Sequence, residues 1–396
     1  MKLTADRVLA WRMRQQFLHR PSGVSALTIV ERLCGVQAQV AGCAEQAIAM
    51  RQTTPQRGTV SKMLSHRMLV RTWAMRGTLH LLPADSAAAY LSLIAAARTW
   101  EKGAWQRTFA TASQMAAITE TAREVLAGNV LTREQLTAEI VRRTRDTSIA
   151  EQLSSGWGAV LKPLAWQGCL INGPSDGNRV TFTSPQTWLE GWEGLPEPDE
   201  AAELVIPAYL SAFGPASMET FDQWLTRGAS RKASLRAWFS ALASTGELTQ
   251  VEVDGEPMYA RMANVEEIAA AAPATDIRLL PAFDQYVLGP GTKNTQIIDA
   301  ARHGEISKTA GWISPVVLAG GRVAGTWEAT GSALAVTLFP ETGDVPVAEL
   351  EAEAAHLGKF LGTSLSISVQ RAARLRLAHM AAAAERARSA TASSFG

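Results

Sequence analysis

The chain has 396 residues, 47% of them hydrophobic and 19% charged, which supplies apolar material for several cores and excludes a disordered polyelectrolyte. No apolar run approaches the ~20 residues of a membrane span and the opening MKLTADRVLAWRMRQQ lacks a signal-peptide core, so a cytoplasmic protein is expected. The net charge of +1 conceals an asymmetry: residues 1–82 carry twelve Lys/Arg against three acids (net +9), whereas residues 185–275 carry five against fourteen (net −9).

In chain order, LTADRVLAWRMRQQFL predicts an amphipathic helix with Thr4 as N-cap and Leu9, Trp11 and Phe17 among its apolar positions. After the Pro21-Ser22-Gly23 break, helices are expected over 26–33 and from Thr59. LVRTWAMRGTLHLL then places two β-rich runs around an Arg76-Gly77 turn. Helices followed by a hairpin make a winged-helix pattern, a variant of helix-turn-helix. The pattern recurs from Leu131, where Thr132 and Gln135 form a capping box. There a second helix is expected over 149–167, then the strands GCLING and NRVTFT. A third copy runs through SMETFDQWL and KASLRAWFSALAS to ELTQVEVDGEPMYAR, whose Asp254-Gly255 marks a hairpin. Beyond VEEIAAAAPAT the composition turns β-rich in DIRLLPAFDQYVLG, SPVVLAGGRVAGTW, SALAVTLF and SLSISVQR, with one helix before the last. These runs predict a small barrel or curled sheet.

The expected fold is therefore α+β: three tandem winged-helix units at 1–84, 85–190 and 191–270, a β-barrel at 271–380, and a flexible tail at 381–396. The basic first segment, rich in arginine, suits phosphate contacts, while the acidic middle suits solvent.

Most catalytic templates are missing. The sequence has no P-loop, no GxGxxG between strand and helix, no HExxH and no GxSxG; Gly289-Pro290-Gly291-Thr292-Lys293 reads as a loop. Cys34, Cys43 and Cys169 have no CxxC or Cys/His spacing, so buried free thiols, no metal and no cofactor are expected. His80 falls inside a half-buried β-rich run and reads as interior. Asp284, beside aromatics, reads as a buried acid with a structural hydrogen-bonding role or a shifted pKa. The tryptophans fall mostly at core positions.

What remains is GVQAQVAG, residues 35–42, with Gln37 and Gln39 between glycines. On a helix, positions i and i+2 point apart; in an extended segment they share a side, and Gly35 and Gly42 allow a helix to end there. A neutral amide can hold a water and polarise a sugar oxygen, but it titrates nowhere near working pH. Such a pair suffices only where the substrate is primed to break. A guanine alkylated at N7 meets that condition, because its positive charge weakens the glycosidic bond and the base leaves without protonation. By the residues alone, a polar pair at a helix terminus is the commoner meaning of such a motif.

GVQAQV, RTWAMRGTLHLLPAD and LLPAFDQYVLG together resemble the bacterial winged-helix DNA glycosylases of the AlkZ and YcaQ family, over nearly the whole chain. Gln37-Ala38-Gln39 is similar to the Gln-apolar-Gln signature of the AlkZ-like branch; the YcaQ-like branch has Gln-apolar-Asp. The resemblance implies a C-shaped monomer around duplex DNA. It also implies a monofunctional glycosylase, without AP-lyase activity, that removes bulky N7-alkylguanines and unhooks interstrand crosslinks in antibiotic self-resistance. By the same likeness Gln37 and Gln39 position the attacking water and stabilise the sugar cation. A barrel hairpin at Gly320, Gly321 and Arg322 would meet DNA, and Arg71, Arg76 and His80 are further candidates for DNA contact. The rival readings are a winged-helix transcription regulator and a non-catalytic lesion-binding protein.

Overall fold

A computed structural model describes residues 1–372 apart from Trp157; the tail expected at 381–396 lies outside the described residues. Hairpins stand where the alternating runs predict them: Leu69–Trp73 with Leu79–Pro83, Ile171–Asn172 with Thr181–Thr183, and Leu248–Val253 with Glu256–Arg261. Each gains a third strand, respectively Val36–Gln37, Val130–Thr132 and Lys2–Leu3. Caps fix the helices between them, although the predicted Thr4 holds its N-cap position without a side-chain hydrogen bond. Ser25 accepts the Thr28 N–H, and Thr132 and Gln135 close a full capping box on Arg133–Thr144.

The helix Ala87–Ala96 has no periodic signature, and its burial explains why. Ala87–Ala96 packs into the largest core with seven of its residues buried, so no polar face interrupts its apolar sequence. Pro198–Phe213 is buried nearly all round over its second half, whereas Ala112–Leu126 buries one face through Met115, Ile118, Ala122, Val125 and Leu126. Pro198–Phe213 leads into the aromatic nucleus of Tyr209, Phe213, Phe221, Trp224 and Phe239, whose neighbouring rings lie 4.7–6.3 Å apart.

Elsewhere the structure corrects the sequence expectation. The single helix expected over 149–167 is two, Ala150–Ser154 and Leu161–Trp166. Between them Gly158 has φ +63°, and a Cβ there would sit 2.6 Å from the Trp73 ring. DIRLLPAFDQYVLG is a strand, Ile277–Leu280, followed after Pro281 by a helical turn, Gln285–Leu288, that Asp284 caps. The C-terminal strands form an open sheet rather than a closed barrel: among the described residues its edge strands, Ile277–Leu280 and Ser366–Arg371, do not pair with each other. The helix Val347–Leu361 covers one face, packing Leu350, Leu357 and Phe360 against Leu279, Trp327 and Val336.

The first helix, Ala5–Gln15, packs outside the 1–84 segment. Its Trp11 and Val8 join Val251, Val253 and Ile268, while Leu9 and Met13 join the C-terminal sheet. Arg12, 1% exposed, donates through Nε to the Gly214 carbonyl at 3.0 Å and through Nη2 to that of Pro215 at 2.8 Å. Two arginine–carboxylate forks then tie the first segment to the C-terminal sheet: Arg20 to Glu353, both bonds 2.6 Å, and Arg51 to Asp284 at 2.7 and 2.8 Å. Part of the basic charge of residues 1–82 is thus engaged inside the molecule. Arg12, Arg20 and Arg51 are interior fasteners, and the excess left for an outside anion is smaller than the sequence count implies.

Candidate active site

The site begins at Gly35. Its φ of +90° ends the Ala26–Arg32 helix, and a Cβ there would meet Leu82 Cδ2 at 2.6 Å, so only glycine lets the next strand close on Leu79–Pro83. Gly42 ends nothing; it lies in the first turn of another helix, Ala41–Ala49. Between the two glycines Val36–Gln37 pairs with the hairpin, and Ala38 N–H continues the ladder to the Leu79 carbonyl at 2.7 Å. Val36–Gln37 is extended, and the chain bends at Gln39 and Val40 before the next helix.

The register puts Gln37 opposite His80, and His80 opposite Thr72. Residues directly opposite share a face, so a polar row crosses an otherwise apolar sheet. Gln37 is 6% exposed and its Oε1 accepts a 2.8 Å hydrogen bond from Arg76 Nη2. Gln39 is exposed, and its Oε1 accepts the Leu79 N–H at 3.3 Å. With Gln37's carbonyl oxygen occupied, its NH2 remains to donate, while Gln39's carbonyl keeps a lone pair to accept. One buried and one exposed carboxamide on a shared edge can grip a water between donor and acceptor.

Arg76 sits in the hairpin turn at φ +57°, a strained conformation for a side-chain-bearing residue. Its Nη1 is buried without a partner, and burial, then the charge of Arg227, pushes its pKa down to about 10. His80 is completely buried: Nδ1 donates to the Thr78 carbonyl at 3.0 Å, and Nε2 is left bare. Burial, then the Arg76 charge, pushes its pKa down to about 3. It is a neutral interior histidine, out of reach of a DNA strand.

That depression has a stability consequence. The folded state keeps His80 neutral while the unfolded chain protonates near pH 6.5, so stability present above pH 6.5 is lost as pH falls towards 3. At pH 5 the loss expected from this residue is about 2 kcal/mol. Urea unfolding of wild type and His80→Leu at pH 7.5 and 5 measures it: the variant should lose less stability on acidification, and equal losses would refute this assignment.

Arg71 points to the opposite face of the sheet. There it lines a cleft of about 430 Å³ with Ala38, Leu81, Asn172 and Trp188. Its Nε and Asn172 Oδ1 are both buried and unpartnered. Gly320 and Gly321 form the expected turn between Val316–Ala319 and Arg322–Thr330, but the structure does not bring it to the glutamines. The turn is packed on the first helix, with Gly321 against Leu9 and its carbonyl accepting the Tyr286 hydroxyl at 2.7 Å. Arg322 pairs with Asp6 at 2.9 Å. On the other side of Arg76 lies a smaller cleft, about 270 Å³, lined by Gly77, Trp105, Lys162, Trp166 and Arg227. Neither Lys162 nor Arg227 carries a sequence signal; each is an isolated cation in a different helix–loop context.

An α+β chain whose hairpin holds a carboxamide pair, with residues 30–360 matching the family of AlkZ-like DNA glycosylases, is a DNA glycosylase; the chain belongs to that family. A relative from Streptomyces sahachiroi, an interstrand DNA cross-link repair glycosylase, is 48% identical over 366 residues, 92% of this chain and 98% of the relative. The solved structure of Streptomyces sahachiroi DNA glycosylase AlkZ superposes with a TM-score of 0.90 at 46% identity, covering 93% of this chain and all of that one. Among the described residues no helix is long and apolar enough to cross a membrane.

Proposed function

We propose that the enzyme hydrolyses the N-glycosidic bond of bulky N7-alkylguanines in duplex DNA and unhooks interstrand crosslinks, with Gln37 and Gln39 as the catalytic pair. The observation that carries this is the arrangement of the two amides: Gln37 held by Arg76 with its NH2 free, and Gln39 exposed one step along the same edge. N7 alkylation leaves the base positively charged, so breaking the bond releases a neutral base and puts the positive charge on the sugar as an oxocarbenium ion. Water bound to the pair donates one proton towards Gln39 Oε1, accepts an N–H from Gln37, and adds its remaining lone pair to C1′. The product loses a proton to solvent. No group needs to titrate, which matches a site whose nearest ionisable neighbours are held far from neutrality, His80 at about 3 and Arg76 at about 10.

We further propose three winged-helix units over 1–84, 85–190 and 191–270, with a sheet unit over 271–380, wrapping a duplex as a C-shaped cytoplasmic monomer. Arg71 and Arg76, from the shared run RTWAMRGTLHLLPAD, and the exposed Arg322, from the Gly320-Gly321 hairpin, are the proposed DNA-facing cations. The name of the cross-link repair relative supports the crosslink as substrate; self-protection against an alkylating antibiotic is the role we propose for it.

The decisive assay incubates the protein with duplexes carrying defined bulky N7-alkylguanines, then cleaves abasic sites with alkali. Strand breaks only after alkali support the reading; none across the panel would eliminate it. Duplex binding should also weaken steeply with salt, by about 0.9 logarithmic units per tenfold salt for each phosphate contacted. A flat response would remove backbone contact from the proposal.

A further inference from the structure

The cleft beside Arg76 holds three cations, Arg76, Lys162 and Arg227, brought together from three separate stretches of the chain. None has a carboxylate partner among the described residues. Among the described residues Arg76 bonds only to the neutral Gln37, and the Lys162 and Arg227 side chains form no hydrogen bond. Elsewhere Arg20 and Arg51 are forked onto carboxylates and Arg12 onto backbone carbonyls, while Arg71, on the opposite face of the sheet, shares with Arg76 a buried nitrogen without a partner. Burial lowers the Lys162 pKa, and the charge of Arg227 lowers it further. Gathering like charges in a partly desolvated recess costs free energy unless an anion completes it. The Arg76 guanidinium commits Nη2 to Gln37, and its Nη1 is buried without a partner. The recess is small, about 270 Å³, and its walls are the apolar faces of Trp105, Phe109 and Trp166. That suits a compact, strongly charged group rather than a planar base or a drug-sized arm.

We propose that Arg76, Lys162 and Arg227 bind one backbone phosphate of duplex DNA, and that Arg76 couples this phosphate to the orientation of Gln37. Arg227, exposed at the rim, and Lys162, half-buried on the wall, supply charge; Arg76 reaches the phosphate through Nη1 while Nη2 fixes the Gln37 carbonyl. Docking of the backbone and alignment of the amide then become one event. Arg76 is a positioning residue in this scheme, and the coupling rests on the catalytic reading of Gln37 given above; the phosphate site does not.

The test separates the two. Binding of undamaged duplex is measured against NaCl for wild type, the double variant Lys162→Ala/Arg227→Ala, and the surface control Arg142→Ala, whose charge is already paired with Glu139. The double variant should lose about one phosphate, a salt slope smaller by about 0.9, while the control keeps the wild-type slope. An unchanged slope in a double variant with wild-type circular dichroism overturns the phosphate site. So does the finding that inorganic phosphate, at matched ionic strength, protects wild type but not the double variant from unfolding while both bind duplex with equal slopes; that outcome assigns the recess to free anions. Single-turnover excision at saturating enzyme then reads the coupling. The Lys162/Arg227 double variant, which no longer docks the phosphate that holds Arg76, should lose rate several-fold, whereas Arg76→Ala should fall at least tenfold and Arg76→Lys, which cannot bridge both groups, should not recover it. Full excision by Arg76→Ala would overturn the coupling and leave the phosphate site standing.

Discussion

Gln37→Ala and Gln39→Ala should each slow single-turnover excision of an N7-alkylguanine by about 10² to 10³, the usual loss when one preorganised polar group is removed from a charge-developing centre. Undamaged duplex binding should change little, because neither amide carries charge. The double variant should fall well short of the product of the two losses, since both amides are proposed to hold the same water. Gln37→Ala has a second consequence: it strips Arg76 of the acceptor on Nη2 and leaves a half-buried guanidinium with neither hydrogen-bonding arm satisfied. Its cost should therefore exceed that of Gln39→Ala, whose partner is a backbone N–H near solvent. The rate of the wild-type enzyme should also be flat in pH from about 5 to about 9, between the His80 and Arg76 values of about 3 and about 10. Wild-type excision by the double variant would sink the site assignment. A limb titrating near pH 7 would instead reveal a general base outside this pair.

Much of this was legible in the sequence because it was local. Hairpins announce themselves by alternation and turn residues, so Arg76-Gly77 and Asp254-Gly255 were visible, as was the Thr132 capping box. The extended setting of Gln37 followed from bracketing glycines, although Gly42 starts a helix rather than ending one. Other features depend on distant pairing, which carries no local pattern. Lys2–Leu3 lies in parallel beside Leu248–Val253, about 250 positions away, and no periodicity in either stretch encodes that. The open C-terminal sheet and the convergence of Arg76, Lys162 and Arg227 belong to the same class, whereas the interior place of His80 was legible in its β-rich run. Charge counting failed for a related reason: a sequence total does not distinguish a cation facing DNA from one forked onto an interior carboxylate.

Arg51 and Asp284 should give the largest stability effects in the molecule. Both side chains are completely buried, the fork is bidentate at 2.7 and 2.8 Å, and the remaining donors reach the carbonyls of Gln16 and Ala47 at 3.0 and 2.8 Å. Asp284 also caps its own helical turn by accepting the Tyr286 N–H at 2.8 Å. Removing one partner strands the other charge in a dry interior, so Asp284→Ala should cost about 3–5 kcal/mol in denaturant unfolding. Replacing both, as Arg51→Met/Asp284→Leu, should recover a large part of that loss, because the desolvation of both charges disappears together with their attraction. Arg51 lies just past the C-cap Met50 of the helix Ala41–Ala49, whose N-cap Val40 follows Gln39. The same fork therefore anchors the far end of the helix that starts at the site. The milder Asp284→Asn, folded and assayed well below its melting temperature, should lose excision rate by several-fold with duplex binding retained. A double-mutant cycle returning less than about 1 kcal/mol between these residues would mean the fork merely fills space, and an Asp284→Asn enzyme of full rate would detach it from the site.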